Sequence, residues 1–199
     1  MKRISFIVFI NVILLISCTS GPVMTPTLTN TPQPALTATL VPPTLAPQFI
    51  DLKSGGFSLT VQRELVFDID DYSINISDRQ AELVISLNGR PYIGSSYTLD
   101  SFLNQYLTEM TSRGGSFRQS DPYEIIVDGV SGIAIDLSGT FLGDPIAGKV
   151  VTVSPGKDFI VFGIAMSNLS THKNGWDESG RAIFEAIMAS IKFKAEVKN

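Results

Sequence analysis

The chain has 199 residues, 44% of them hydrophobic and 17% charged, with a formal charge of −4, one cysteine and one histidine. One cysteine closes no intrachain disulfide, one Cys and one His cannot build a structural zinc site, and a net negative charge argues against a general nucleic-acid binder. Apolar residues are too common for a wholly disordered chain.

Composition is uneven along the chain. All 19 acidic residues lie at or beyond Asp51, and Lys2 and Arg3 are the only charges before it, so the chain after residue 18 carries a formal −6. Residues 1–18 read as a secretory signal. Lys2 and Arg3 form a positive start, and Ile4 to Ile16 is apolar apart from Ser5 and Asn11. As a helix that run spans roughly 20 Å, too short for an ordinary membrane crossing of about 30 Å. It ends in Leu15-Ile16-Ser17-Cys18, which resembles the bacterial lipobox. The resemblance implies a diacylglycerol on the Cys18 sulfur and cleavage after Ser17, with acylation of the new N-terminus left open. Several acyl chains make a stable anchor where one holds only marginally.

Residues 19–48 hold no charge, eight threonines and seven of the eleven prolines. Such a segment buries no core and favours extended, solvated conformations, reaching on the order of 90 Å as polyproline II. It is expected to be a tether.

Residues 49–199 then make one domain, large enough to bury about 68–70% of its unfolded surface. Phe57, Leu59 and Val61 alternate with polar residues, as do Tyr72, Ile74 and Ile76, and then Leu83, Ile85 and Leu87, the last run closed by Asn88-Gly89 and Pro91. These predict antiparallel strands with one wet face. The period then changes. Leu99, Leu103, Tyr106, Leu107 and Met110 recur at helical spacing behind Thr98 as N-cap and before the stop Gly114-Gly115. Strands follow at Tyr123–Val127, before Asp128-Gly129, and at Ile133–Leu137, before Gly143-Asp144-Pro145. Two more are expected at Ile146–Val153, before Ser154-Pro155-Gly156-Lys157, and at Phe159–Met166. That last strand is apolar on both faces, as a strand covered on both sides must be. Trp176, Gly180, Ile183, Phe184, Ile187 and Ile191 predict a closing helix. The expected fold is α+β: an antiparallel sheet of about six to seven strands with two main helices packed on it.

The opening Gly55-Gly56-Phe57-Ser58-Leu59-Thr60-Val61, the Gly-Gly end of the first helix, the run Ile126 to Gly132, the long meander, and the closing helix with Phe184 and Ser190-Ile191-Lys192-Phe193 together resemble the PsbP-like fold, which includes DcrB-type envelope lipoproteins. The Pro-Glu-Gly-Trp-like turn usual after the first strand is replaced by Gln62-Arg63-Glu64-Leu65. The resemblance implies a PsbP-like sandwich that acts by binding or assembly, and it transfers no contact residues.

Candidate chemistry is sparse. His172 has neither an orienting carboxylate nor a nucleophile at a suggestive spacing. Ser170 and Lys173 have the S-x-x-K spacing without its companion motifs, and no phosphate-cradling loop is present. Asp68, Asp70 and Asp71 are a cation-loop candidate, without the glycine and distal glutamate of an EF-hand. Tyr92, Tyr97 and Trp176 flank the two helix entries and are candidates to line a groove. No metal and no cofactor is expected. The sequence thus reads as a lipid-anchored, non-enzymatic envelope protein, its domain on the extracytoplasmic side, binding a protein partner or assisting assembly at the cell surface. The alternative is a carrier of a small apolar ligand between the Leu99–Met110 helix and the sheet, and a carboxylate hydrolase stands third.

Overall fold

The computed structural model describes residues 46–91, 98–156 and 158–197, and among these it forms eleven strands and two α-helices. In chain order the strands are β1 (Gln48–Leu52), β2 (Phe57–Val61), β3 (Val66–Ile69), β4 (Ser73–Ser77), β5 (Leu83–Pro91), β6 (Gly115–Gln119), β7 (Tyr123–Val127), β8 (Val130–Phe141), β9 (Asp144–Gly156), β10 (Phe159–Asn168) and β11 (Lys192–Phe193). The helices are α1 (Leu99–Ser112) and α2 (Arg181–Ser190), the latter entered through a π-helical turn, Trp176–Gly180.

Every strand pair is antiparallel. The main sheet has eight strands in the order β3-β4-β5-β10-β9-β8-β6, with β7 also on β8, and a small sheet has the order β1-β2-β11. The single sheet expected from the alternation is therefore divided. Phe57–Val61 is the centre of the small sheet rather than the first strand of the large one. Four strands carried too little period-two signal to be read: β1, β3, β6 and β11.

β10 lies between β5 and β9 and is apolar on both faces because it is covered on both. Phe159, Val161 and Ala165 join a core with Phe57, Leu59 and Val61 of β2 and with Phe184, Ile187 and Met188 of α2. Ile160, Phe162 and Ile164 face a second core with Phe102, Leu103, Leu107 and Met110 of α1. Each fully buried side chain of this kind contributes about 1.5–3 kcal/mol.

α1 begins where the threonine predicts it. Thr98 Oγ1 accepts the Ser101 N–H at 3.2 Å, and the Thr98 N–H donates to Ser101 Oγ at 3.0 Å, a reciprocal cap for two otherwise orphaned donors. At the other helix the Arg181 N–H reaches back to the Trp176 carbonyl, one residue further than in an α-helix. Trp176 and Gly180 are buried ahead of Phe184, Ile187 and Met188, so the expected face is kept across the change of pitch.

Two glycines separate a turn from a close approach. Asp128 and Gly129 have φ of 47° and 78°, the paired positive values of a two-residue hairpin turn. Asn88-Gly89 is not a turn. Gly89 sits inside β5, paired with Val161, and a Cβ there would stand 1.9 Å from the Gly55 carbonyl oxygen crossing above it.

Candidate functional site

β8 and β9 are joined by a tight turn at Leu142-Gly143, so residues equidistant from it lie opposite each other. Asp136 and Lys149 are such a pair. Both point to the α2 side of the sheet, sharing strand parity with Ala134 and Val151 of that core. Neither charge is spent on the other.

Instead, seven side chains form one connected line beneath α2. Lys149 Nζ donates to Glu185 Oε1 at 2.7 Å and lies 5.7 Å from the centre of the Tyr123 ring. The Tyr123 hydroxyl donates to Asp136 Oδ2 at 3.3 Å. Arg181 Nη1 donates to Asp136 Oδ1 at 3.1 Å, and its Nη2 is 3.6 Å from Asp177 Oδ1. The same guanidinium lies 5.4 Å from the Trp176 ring centre. The π-helical turn supplies Trp176 and Asp177, and the first residue of α2 supplies Arg181. One arginine thus gathers a sheet carboxylate, a helix carboxylate and an indole.

Lys149 is 8% exposed, which for an unpaired ammonium would be costly. Burial alone pushes its pKa down. The hydrogen bonds and charges of Glu185 and Tyr123 more than offset that, and the group is held above its ordinary 10.5.

The line separates two hollows. One, of about 320 Å³, is mainly apolar and is lined by Ile125, Val127, Val151, Phe184 and Met188, with Lys149 and Glu185 at its polar side. The other, of about 360 Å³, also has a largely apolar wall but carries more charged and polar side chains, being lined by Arg118, Ser138, Asp136, Trp176, Asp177 and Arg181.

Of the residues singled out from the sequence, Trp176 reaches this site, and as floor rather than rim: it is 3% exposed and packs in the core while bordering the second hollow. Tyr92 and Tyr97 lie outside the described residues, as do Cys18, Leu15, Ile16 and Ser17. The aspartates Asp68, Asp70 and Asp71 are not assembled into a cation site. Asp68 belongs to β3, Asp70 Oδ1 accepts the Asp71 N–H at 2.7 Å, and among the described residues no group of three metal-ligating side chains comes together. His172 pairs with Glu178 at 2.9 Å on an open surface.

The space between α1 and the sheet, where the carrier alternative puts its ligand, is taken by the protein's own rings. Phe162 meets Phe102 at 5.7 Å and Tyr106 at 4.1 Å between ring centres, and Arg90 lies 5.1 Å from the centre of Phe102.

The side chains of this line that sequence reading did not single out include Lys149, Asp136 and Arg181. Their signal was present. Lys149 and Asp136 are lone charges in otherwise uncharged strand runs, equally far from a turn, and Arg181 follows one helical step behind Asp177.

No family model and no curated protein matches the sequence. Among solved structures, the chain is similar to the cyanobacterial PsbP protein CyanoP from Synechocystis sp. PCC 6803, with a TM-score of 0.54 at 10% identity over 74% of this chain and 92% of that one. It is also similar to LpqN of Mycobacterium tuberculosis, a protein involved in cell envelope biogenesis, with a TM-score of 0.50 at 12% identity over 75% of this chain and 84% of that one. No helix among the described residues is long and apolar enough to cross a membrane. At such identities the likeness concerns architecture, and the architecture is that of the PsbP-like α+β fold.

Proposed function

We propose that the protein is a lipid-anchored, non-catalytic module of the cell envelope, held through Cys18 on its uncharged tether, and that its domain docks a protein partner through the second hollow, at the head of α2. The observation that carries this reading is the Arg181 clamp. A guanidinium shared between Asp136 and Asp177, with the exposed Arg118 across the hollow, presents alternating charges on a preformed wall. Such patterns select partners by charge complementarity more than they add raw affinity. The export signal and lipobox support the address, and the fold shared with an envelope-biogenesis protein agrees with it.

Two experiments test the two halves. A photocrosslinking residue at Ser138, on the wall of the hollow, should yield one discrete adduct in intact envelopes. The same residue at Thr108, on the exposed side of α1, should yield none. Loss of the adduct on adding Arg181→Glu ties it to the clamp, and no adduct from Ser138 rejects the docking site. For the anchor, labelled palmitate should enter the wild type and not Cys18→Ser. Label persisting in the mutant rejects the lipobox.

A further inference from the structure

We propose that the apolar hollow between α2 and the β7–β9 part of the sheet is a binding site for an alkyl carboxylate, the chain lying against Ile125, Val127, Val151, Phe184 and Met188 and the head group on Lys149. The hollow's volume of about 320 Å³ is that of a small-molecule pocket, and its wall is apolar except at one side. That side carries one cation, the nearly buried Lys149 Nζ, and one anion, Glu185.

The two ends of this ion pair are not alike. The Lys149 side chain is 10% exposed and fixed in a strand, whereas Glu185 is 54% exposed at the edge of α2 that borders the hollow. A glutamate so placed regains water readily when it leaves, and the cost of parting falls on the buried ammonium, which a second carboxylate can meet. An incoming carboxylate then takes its place at 2.7 Å or thereabouts from the same nitrogen, and the desolvated ammonium is at no stage left unpaired. An ammonium ligand finds Lys149 in its way, and a neutral one leaves Glu185 where it is. The pair therefore works as a charge filter at the end of an apolar slot.

The rest of the hollow suits a flexible chain. Met188 is unbranched and adapts to the shape of what it meets. Ile126 stands at the mouth 73% exposed, an apolar lip with little packing of its own. The site does not rest on the docking reading. It lies on the other side of the Tyr123–Asp136 link, and Arg181→Glu leaves its lining untouched.

The test uses the chain from residue 18 onward with Cys18→Ser, which retains every described residue and needs no competing detergent. Decanoate, decanol and decyltrimethylammonium are titrated calorimetrically below their micelle-forming concentrations. Decanoate should bind several-fold more tightly than decanol, because its carboxylate meets Lys149 inside the hollow whereas Glu185 pairs with it from a half-exposed position, and the ammonium compound should bind more weakly than either. Lys149→Met should abolish the preference while decanol still binds, which also shows that the variant is folded. Ala189→Trp, placed on the exposed helix surface at the mouth, should exclude both decanoate and decanol without lowering the melting temperature. Equal affinity for decanoate and decanol overturns the proposal. So does absence of decanoate binding, a preference that survives Lys149→Met, or binding that ignores Ala189→Trp.

Discussion

Against α1 the main sheet presents Ile135, Leu137, Val150, Ile160, Phe162 and Ile164, and the helix meets them with Phe102, Leu103, Leu107 and Met110. Against α2 the same two strands, β8 and β9, present Asp136 and Lys149 one residue along, and the helix meets them with Arg181 and Glu185. The first contact is filled by aromatic and aliphatic side chains, and burial raises the pKa of the Tyr106 hydroxyl above its ordinary 10.0. The second is open, with a hollow on either side of a polar line. A strand offers its two faces independently because successive side chains alternate, so one sheet can hold a sealed core on one side and a recognition surface on the other. That division of labour is what the mutants below are designed to break.

The largest effect is expected on the sealed side. Phe162→Ala removes the ring shared by Phe102 and Tyr106 and leaves a cavity the surrounding strands cannot collapse, at a cost of about 3–5 kcal/mol in denaturant unfolding. A cost below about 1 kcal/mol would show that the α1 face is not tightly filled. The next effect belongs to the contact between the two sheets. Gly89→Ala sets a methyl against the Gly55 carbonyl oxygen, backbone against backbone, and should cost about 1–3 kcal/mol or more. Gly55→Ala does not cure it, because the opposing atom is the carbonyl oxygen.

That glycine also marks the limit of what the sequence discloses. Asn88-Gly89 has the composition of a turn and predicts the close of its strand, yet the strand runs on to Pro91, whereas Asp128-Gly129, with the same kind of dipeptide, is a true turn. Both glycines are required, one by positive φ and one by the turn between β1 and β2 passing overhead, and only the first reason is local. The helices were legible for a local reason too: the Thr98 cap and the apolar spacing of α1 need nothing beyond their own residues. β3 and β6 were not, since each is an outer strand with little apolar alternation and is held in place by its neighbour's backbone. The site was half legible. The lone charges Asp136 and Lys149 could be paired once the hairpin register was known, whereas the reach of Arg181 across to Asp136 depends on the π-helical turn, for which Trp176–Gly180 carries no distinctive pattern. Trp176 itself was read as a groove residue, and it does border one, but from the core side.

On the open side the effects are smaller. Glu185→Gln takes the carboxylate from Lys149 without changing shape; the half-exposed Glu185 limits the loss and the nearly buried ammonium enlarges it, for a cost of about 1–2 kcal/mol. The pH dependence fixes the sign. Lys149 has a folded pKa raised above 10.5, so its stabilising contribution is fully present below pH 10.5 and is lost as pH rises through the folded value. Wild type should therefore lose more stability than Glu185→Gln between pH 10 and the folded pKa of Lys149, with Tyr123, Asp136 and Arg181 common to both proteins. Parallel pH profiles would mean that Glu185 does not hold the ammonium, and would remove the charge filter from the apolar hollow.

The smallest change tests the dryness of the sealed side from within. Thr152, fully buried on β9 and paired with Ile133 and Phe162, has a hydroxyl with no hydrogen-bond partner. It shares its face with Val150 and so points toward α1, where the surroundings are apolar. A buried, unpaired hydroxyl forgoes the hydrogen bonds it had in water, while a methyl of the same shape gives up nothing. Thr152→Val should therefore stabilise the protein by up to about 1 kcal/mol. Thr152→Ser, which keeps the hydroxyl and deletes the methyl, should destabilise it by about the same amount. If valine destabilises instead, the hydroxyl is solvated in solution, water reaches the α1 face, and the contrast between the two faces of the sheet is one of degree.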